Sequence, residues 1–245
     1  MTRPNAPVVL AAVVVAFQLA ACGSGGAPNA PPKHASSAAT PACPKSPNFN
    51  ASDFVSHVDN ALFPLQPGTT YRYKGTDEGD PALDLVSVTH QTKRIMGVGT
   101  TVVRDRTYTN GKLAEDTRDW YAQDKGGTVW YFGEATKEWD KGHASTAGSW
   151  QAGVAGARAG IFMPARPAAG RVFNLSEDCG QVLDLKASVK TPHVSTDQAM
   201  RTKEWSPREG GDVFTKDYVR GVGLVRRALL GGNDFLELVS VEHHA

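Results

Sequence analysis

The sequence feature that most constrains the fold is the Asn110-Gly111 pair, which separates two runs rich in Thr, Arg and aromatic residues. Asn-Gly supplies the two positive φ angles of a type I′ turn, the strongest short-range signal for a β-hairpin. A second turn is predicted at 124–127 from its Asp, Lys and Gly residues. The stretch 97–134 is therefore predicted to form two consecutive hairpins within an antiparallel sheet.

A two-residue loop at each turn predicts the register of both hairpins. The predicted facing pairs are Thr109 with Lys112, Tyr108 with Leu113, Arg106 with Glu115, Asp105 with Asp116, Tyr121 with Trp130, Asp119 with Phe132 and Thr117 with Glu134. Side chains alternate across a strand, so this register sorts the residues onto two faces. One of these faces is predicted to mix aromatic and charged side chains.

The mixed face is the candidate ligand-binding surface of the chain. It is predicted to include Arg104, Arg106, Glu115, Asp119, Tyr121, Trp130 and Glu134, with Trp150 added from a later loop. Aromatic rings beside a few charged groups are typical of a ligand site. The alternative interpretation is a solvated ladder of compensating charges without a binding role.

The carboxylates of the central stretch leave two further alternatives open. A hydrolase would need one carboxyl as general acid and another as general base. Asp105, Asp116, Asp119 and Glu134 could offer oxygen ligands to Ca²⁺, but their spacing matches no recognisable loop, so no metal site is predicted. The sequence also lacks the nucleophile elbow, phosphate loop and dinucleotide fingerprint of common enzymes. No cofactor is therefore predicted, and an enzyme is not the preferred interpretation.

Residues 1–21 are predicted to be a signal peptide that is removed. Its apolar run, from Val8 to Phe17, is shorter than a membrane span requires. The following Leu-Ala-Ala-Cys, which ends at Cys22, resembles the bacterial lipobox. This resemblance implies acylation of Cys22, and hence export and lipid anchoring at the outer face of the bacterial cell membrane or at its periplasmic face. An ordinary secretory signal is the alternative.

Residues 22–46 are rich in Gly, Ala, Pro and Ser and have no hydrophobic period, which predicts a disordered tether. Residues 47–245 are predicted to form a single β-rich domain. Once Cys22 is lipidated, only Cys43 and Cys179 remain. An even number of cysteines in an oxidising compartment favours a disulfide between them.

Short runs of Val, Thr and aromatic residues between turn signals predict an all-β fold with little helix. Roughly ten such strands favour a strongly curved antiparallel meander sheet or an open barrel. Ser52 is expected to cap a short N-terminal helix whose apolar stripe runs from Phe54 to Leu62. Residues 135–170 are expected to form a long irregular loop that either seals a sheet edge or covers a sheet face.

The charge pattern argues against one class of partner. The chain carries 26 basic and 25 acidic residues, well interspersed, for a net charge of +1. A nucleic-acid surface or a polybasic membrane patch requires clustered positive charge. Nucleic acid is therefore not an expected partner, and the membrane is expected to be reached through the lipid anchor.

Two motifs, EDTRDWYAQD at 115–124 and VWYFGE at 129–134, resemble a family of uncharacterised bacterial secreted proteins and lipoproteins. The resemblance covers most of residues 60–241 and implies no established activity. The layout is also loosely similar to curved-sheet envelope lipoproteins that carry lipids, an analogy of fold alone. The preferred hypothesis is a lipid-anchored envelope protein whose concave sheet face binds an apolar small molecule or an envelope protein. An envelope hydrolase that uses the central carboxylates is the alternative.

Overall fold

The computed structural model describes residues 41–140, 142–207 and 212–244. The predicted signal peptide, the lipidation site Cys22 and residues 22–40 of the predicted tether lie outside the described residues. Within them the chain is nearly all β-structure, which confirms the predicted fold class.

The described residues form fourteen strands. They are β1 (Thr69–Asp77), β2 (Asp80–Ile95), β3 (Val98–Thr109), β4 (Lys112–Gln123), β5 (Val129–Asp140), β6 (His143–Ser145), β7 (Trp150–Gln151), β8 (Gly160–Met163), β9 (Val172–Asn174), β10 (Cys179–Lys190), β11 (Ser195–Trp205), β12 (Phe214–Val219), β13 (Gly223–Leu229) and β14 (Phe235–His243). Most neighbours in the chain are joined by short turns, as a meander requires.

The strands form one antiparallel sheet with the order β6-β5-β4-β3-β2-β1-β14-β13-β12-β11-β10-β9, while β7 and β8 also pair with β5. Strands β1 and β14 thus join two meanders, one from each half of the chain. The sheet curves until β8 lies against β9. There Gly160 approaches the backbone of Leu175 and Ser176 so closely that a Cβ atom would not fit. The predicted strongly curved, open sheet is confirmed.

An N-terminal segment, residues 41–50, crosses between the two ends of this sheet. Cys43 and Cys179 form a disulfide with a Cα–Cα distance of 5.6 Å, as predicted. Further along, the Ser46 hydroxyl donates a hydrogen bond to the Ala159 carbonyl next to β8. The described end of the predicted tether is therefore fixed to both ends of the sheet.

The predicted N-terminal helix is reduced to a single 3-10 turn, Ala51–Asp53. Its cap is Asn50 rather than Ser52, because the Asn50 side chain accepts a hydrogen bond from the Ser52 backbone N–H. The helix does not continue, since the Val55 N–H donates to the Gln123 carbonyl in β4 at 2.9 Å. Pairing with the sheet replaces the next intrahelical hydrogen bond.

Apolar side chains form two buried clusters on opposite faces of the sheet. The central cluster fills the concave inner face and includes Tyr71, Tyr73, Val103, Tyr121, Tyr131, Met163, Tyr218 and Leu238. The outer cluster covers the opposite face of β2 to β5 and consists of Ile95, Val98, Val102, Trp120, Ala122, Trp130, Phe132, Ala152 and Ala159. Phe49 and Phe54 pack on the outer cluster from the N-terminal region, with ring centroids 5.3 and 5.6 Å from that of Phe132.

The stretch predicted as an irregular loop, 135–170, seals the edge of the sheet at β5. Strand β5 itself extends to Asp140, and the short strands β6, β7 and β8 all pair with it. These strands have two to four residues each, too few to produce a recognisable hydrophobic period. Both expectations for this stretch are met in part, since it seals the sheet edge and its Phe162 packs on the inner face against Tyr121.

The predicted hairpin register is correct only beside the first turn. Asn110 and Gly111 adopt φ angles of 52° and 74°, and the pairs Thr109 with Lys112 and Tyr108 with Leu113 are present. The other five predicted pairs are wrong. The observed pairs are Arg106 with Asp116, Asp105 with Thr117, Tyr121 with Tyr131, Asp119 with Glu134 and Thr117 with Thr136.

Two irregularities and a longer turn explain these corrections. An extra residue in β4, Ala114, shifts the register after Tyr108, and a second shift lies between Asp119 and Tyr121. The second shift places two residues of β5, Phe132 and Gly133, opposite one residue of β4. Gly133 has a φ of 123°, a conformation that glycine accommodates at such bulges. The second turn is longer than two residues, since Gln123 pairs with Val129.

Candidate functional site

A pocket of about 140 Å³ opens on the concave face, beside the central cluster. Its apolar wall includes Phe63, Leu65, Val86, Val103, Phe162, Val222, Leu224 and Leu236, and four tyrosines, Tyr71, Tyr73, Tyr121 and Tyr131, complete it. These residues come from both meanders and from the segment before β1. We refer to this space as the central pocket.

Seven ionisable groups besides the tyrosines line the central pocket. They are Asp84, Asp105, Glu115, Asp119, Glu134, Lys216 and Arg227. The five carboxyls project from four neighbouring strands, β2 to β5. Strand alternation places most of them on the inner face, and the bulge at Phe132 and Gly133 places Tyr131 and Glu134 on that face together.

Asp119 and Glu134 face each other across β4 and β5 and share the hydroxyl of Tyr131. The Tyr131 oxygen lies 2.6 Å from Asp119 Oδ1 and 2.7 Å from Glu134 Oε2. A phenol carries one proton, so Tyr131 donates to one carboxylate and accepts from the other, which must be protonated. Burial, and next the charge of Asp119, raises the pKa of Glu134 to about 9, whereas burial raises that of Asp119 to about 7. Glu134 is therefore the protonated member near neutral pH.

Asp84 and Asp105 form a second pair of carboxyls, which line the pocket from the adjacent strands β2 and β3. Burial raises the pKa of Asp105 well above its usual range, and the neighbouring Asp84 raises it further. Asp105 therefore keeps its proton to a higher pH than a solvent-exposed aspartic acid does. Among the described residues, no N–H or hydroxyl group donates to the buried Oδ1 atom of either residue.

Glu115 is the fifth carboxyl of the pocket, and two threonine hydroxyls donate hydrogen bonds to it. Thr117 and Thr136 donate to Glu115 Oε1 at 2.6 and 3.2 Å. Burial raises the pKa of Glu115, an effect that these hydrogen bonds oppose. Glu115 thus lies near the other carboxyls, and no described Lys, Arg or His side chain forms a salt bridge with it.

The two cations of the central pocket are engaged elsewhere. Lys216 Nζ lies 2.6 Å from Glu204 Oε2, and both side chains are buried. The Arg227 guanidinium lies 4.1 Å from the centre of the Phe214 ring. Its charge favours the ionised form of Asp84, a smaller influence on that pKa than burial. The carboxyls therefore outnumber the cations available to neutralise them.

The structure divides the eight sequence-derived ligand candidates into two equal groups. Glu115, Asp119, Tyr121 and Glu134 line the central pocket, whereas Arg104, Arg106, Trp130 and Trp150 do not. Trp150 packs behind the pocket, with its ring 5.3 Å from that of Tyr131. The predicted single mixed face is therefore wrong, because the bulges place its members on two sides of the sheet.

On the outer face, Arg104 and Trp130 both have conventional hydrogen-bond partners. Arg104 donates to both carboxylate oxygens of Asp116 at 2.8 and 2.7 Å, and this contact holds the pKa of Asp116 below its usual value. The indole N–H of Trp130 donates to Asp124 at 2.9 Å. Because Asp116 is on this face, the four carboxylates considered as Ca²⁺ ligands do not converge.

Two further features are absent from the described residues. Over residues 41–140, 142–207 and 212–244, no group of three or more His, Cys, Asp and Glu side chains is arranged to hold a metal ion. In the same part of the chain, no helix has the length and apolar character needed to cross a membrane.

Sequence reasoning missed Asp84 and three of the four pocket tyrosines. The predicted register had put Tyr131 on the face opposite Asp119, since it allowed for no bulge. The glycine in VWYFGE is the signal that was available, because an isolated Gly in a strand pattern suggests a bulge. Tyr71 and Asp84 lie in strands outside the central stretch. The pairing of β2 with β3 brings Asp84 to it, and the pairing of β1 with β2 then adds Tyr71.

No protein-family model matches the chain, and neither does any curated protein. Two solved structures share part of its architecture. One, from Bacteroides fragilis, is provisionally described as an exported protein with a YmcC-like fold. It is 13% identical in sequence, the match covers 75% of this chain and 99% of that chain, and the TM-score is 0.45. The other, provisionally described as a lipoprotein from Parabacteroides distasonis, has 12% identity, the same coverages and a TM-score of 0.40. At these values neither description transfers to this chain.

Proposed function

We propose that this chain is an envelope protein that binds an apolar small molecule in the central pocket. The observation that carries the proposal is a concave space between two meanders with mostly apolar and aromatic walls. Ligand sites commonly combine such walls with a few convergent polar groups. A small molecule is favoured over a protein partner, because the lining residues lie inside the curved sheet and not on a flat outer surface.

The proposal includes export and lipid anchoring, for which the support is the lipobox resemblance at Cys22 and the disulfide between Cys43 and Cys179. Disulfides persist mainly in oxidising compartments. Metabolic labelling with a palmitate analogue in a bacterial host should label the wild-type chain in the membrane fraction. Cys22→Ala should abolish the label, whereas a label that persists in this variant would exclude anchoring at Cys22.

Binding is tested with the uncharged apolar dye N-phenyl-1-naphthylamine, whose fluorescence rises in apolar surroundings. The purified chain should enhance its fluorescence with saturation. Val222→Trp should fill the pocket and abolish saturable binding, because Val222 is a lining residue in the turn before β13. Leu230→Trp is the matched control, since Leu230 is 57% exposed and is not part of the lining.

The dye experiment has two outcomes that would overturn the proposal. One is the absence of saturable binding to a chain that is folded by circular dichroism and is free of extractable ligand. The other is an equal response of the Val222→Trp and Leu230→Trp variants, because the dye would then bind outside the pocket. Mass spectrometry of organic extracts identifies any molecule that co-purifies and must first be removed.

One observation favours a second candidate, a hydrolase that uses the central carboxylates. Asp119 and Glu134 converge on one hydroxyl inside a pocket, and their raised pKa values suit a general acid and base. Asp116 has no part in it, since it pairs with Arg104 on the outer face. The test compares the wild-type chain with Asp119→Asn on chromogenic esters and glycosides. Equal hydrolysis by the two proteins would eliminate this candidate.

A further inference from the structure

We propose that the ligand of the central pocket is an organic ammonium ion, a small molecule with an apolar body and one positively charged amine. This inference rests on the proposed function and specifies the chemical class of its ligand. Two separate features of the pocket support it. No described cation forms a salt bridge with the five carboxyls, and the walls present tyrosine rings.

The first feature is the balance of charge around the pocket. None of the salt bridges among the described residues includes Asp84, Asp105, Glu115, Asp119 or Glu134. The hydroxyl of Tyr131 bridges Asp119 and Glu134, so one of these two carboxyls is protonated and the other is ionised. Buried carboxylates are stable only with a partner of opposite charge or with several donors. An ammonium group supplies both the charge and three N–H donors.

The chain does pair buried charges where no ligand is needed. Lys216 and Glu204 are 6% and 4% exposed and form a close salt bridge at the border of the same pocket. Lysine is therefore compatible with this interior, and yet Asp119 and Glu134 receive only a tyrosine hydroxyl. The missing cation is most simply supplied from outside the chain.

The second feature is the aromatic wall. The hydroxyls of Tyr71 and Tyr73 donate to the backbone carbonyls of Pro64 and Leu224 at 3.1 and 2.9 Å. Their polar ends are therefore satisfied within the fold, and the rings contribute to the lining of the pocket. Tyrosine rings attract organic cations through their π faces, and the attraction is stronger where water is excluded. The same wall accommodates the apolar body of the ligand.

The size of the pocket limits the ligand. A volume of 140 Å³ corresponds to on the order of ten water-sized positions, since one position takes about 10–15 Å³ on this measure. The ligand is accordingly an aryl-alkyl or short alkyl amine rather than a complete membrane lipid.

The test compares 2-phenylethylammonium with 2-phenylethanol, two probes that share a body and differ in charge. Their affinities for the purified chain are measured by isothermal titration calorimetry at pH 7. The ammonium should bind roughly tenfold or more tightly than the alcohol, because its hydrogen bonds to the carboxylates are charge-assisted. The double variant Asp119→Asn/Glu134→Gln should reduce this preference to threefold or less, on the order of the difference made by one ordinary hydrogen bond.

Two further variants make the outcome decisive. Asp116→Asn is the matched control, because it removes a carboxylate from the same strand but from the opposite face, and it should leave the preference unchanged. Glu115→Gln should reduce the preference in part, and it keeps the test valid if the double variant fails to fold. Equal affinities for the two probes, or a preference that survives both pocket variants, would overturn the inference.

The design separates this inference from the proposed function. If the naphthylamine dye binds and Val222→Trp blocks it, while the ammonium is not preferred, only the ammonium inference is wrong. If the dye and both phenylethyl probes fail to bind, the proposed function is wrong as well.

Discussion

The two faces of strands β3 to β5 are built from adjacent residues of the same sequence but differ in how their charges are satisfied. On the outer face, Asp116 receives two hydrogen bonds from Arg104. On the inner face, Asp119 and Glu134 share a tyrosine hydroxyl and have no cation in contact among the described residues. The pKa of Asp116 is lowered, whereas those of Asp119 and Glu134 are raised.

This difference indicates which face is structural. The outer face is sealed, since Phe49 and Phe54 cover Trp130 and Phe132 with edge-to-face ring contacts. The inner face keeps an open pocket beside its carboxyls. Clustered carboxylates destabilise a fold unless something compensates them. Their presence beside an open pocket, and not the density of acids along the sequence, is therefore the reason to propose a site there.

The largest expected effect is a difference in stability between two variants, one that removes a tightly packed ring from the outer face and one that removes a ring from the inner face. Phe132→Ala should lower the free energy of unfolding by about 3–5 kcal/mol, because Phe132 is fully buried in the outer cluster and its removal leaves a cavity. Phe162→Ala should cost clearly less, since Phe162 is only partly buried and the space it leaves joins the existing pocket. Urea unfolding of both variants measures the difference.

Equal losses of unfolding free energy in the two phenylalanine variants would contradict the proposed difference between the faces, because the inner face would then be packed as tightly as the outer one. The slope of unfolding free energy against urea concentration serves as the control. It should be the same in both variants and the wild type, which establishes that the same folded unit is lost.

The sheet was predictable because its signals are local. Asn110-Gly111 predicted a hairpin and the two pairs beside the turn, and both are observed. The site was not predictable, because one bulge residue reverses the orientation of every later side chain in a strand. Gly133 thus separates Trp130 from Glu134, which the sequence had placed together. The pairing of β1 with β14 depends on long-range topology, for which a single sequence offers no local signal.

A second expected effect is a pH dependence confined to the inner face. Asp119 and Glu134 have folded-state pKa values of about 7 and about 9, above their ordinary values of 3.8 and 4.5. Between these limits the folded state binds more protons than the unfolded state, so stability falls as pH rises from about 5 to about 9. The wild type should therefore lose at least about 1.4 kcal/mol over this range relative to Asp119→Asn/Glu134→Gln, the equivalent of one pKa unit.

Thermal or urea unfolding at several pH values provides this measurement. The other charged groups that act on the pair or line the pocket beside it are present in both proteins; they are Asp84, Asp105, Glu115, Glu138 and Lys216. The comparison therefore isolates the pair and its coupling to these neighbours. If the free energy of unfolding depended on pH in the same way in both proteins, Asp119 and Glu134 would have ordinary pKa values. The two faces would then not differ in how their carboxyls titrate.

The smallest expected effect concerns the salt bridge of Arg104 and Asp116 on the outer face. Its bidentate geometry is good, but the Arg104 side chain is 38% exposed. A double-mutant cycle of Arg104→Ala and Asp116→Ala should therefore give a coupling energy of about 0–1 kcal/mol. Neither variant should change dye binding in the central pocket, because both side chains lie on the opposite face. Loss of dye binding in Arg104→Ala, without loss of folding, would instead connect Arg104 to the site, and the two faces could no longer be treated as independent.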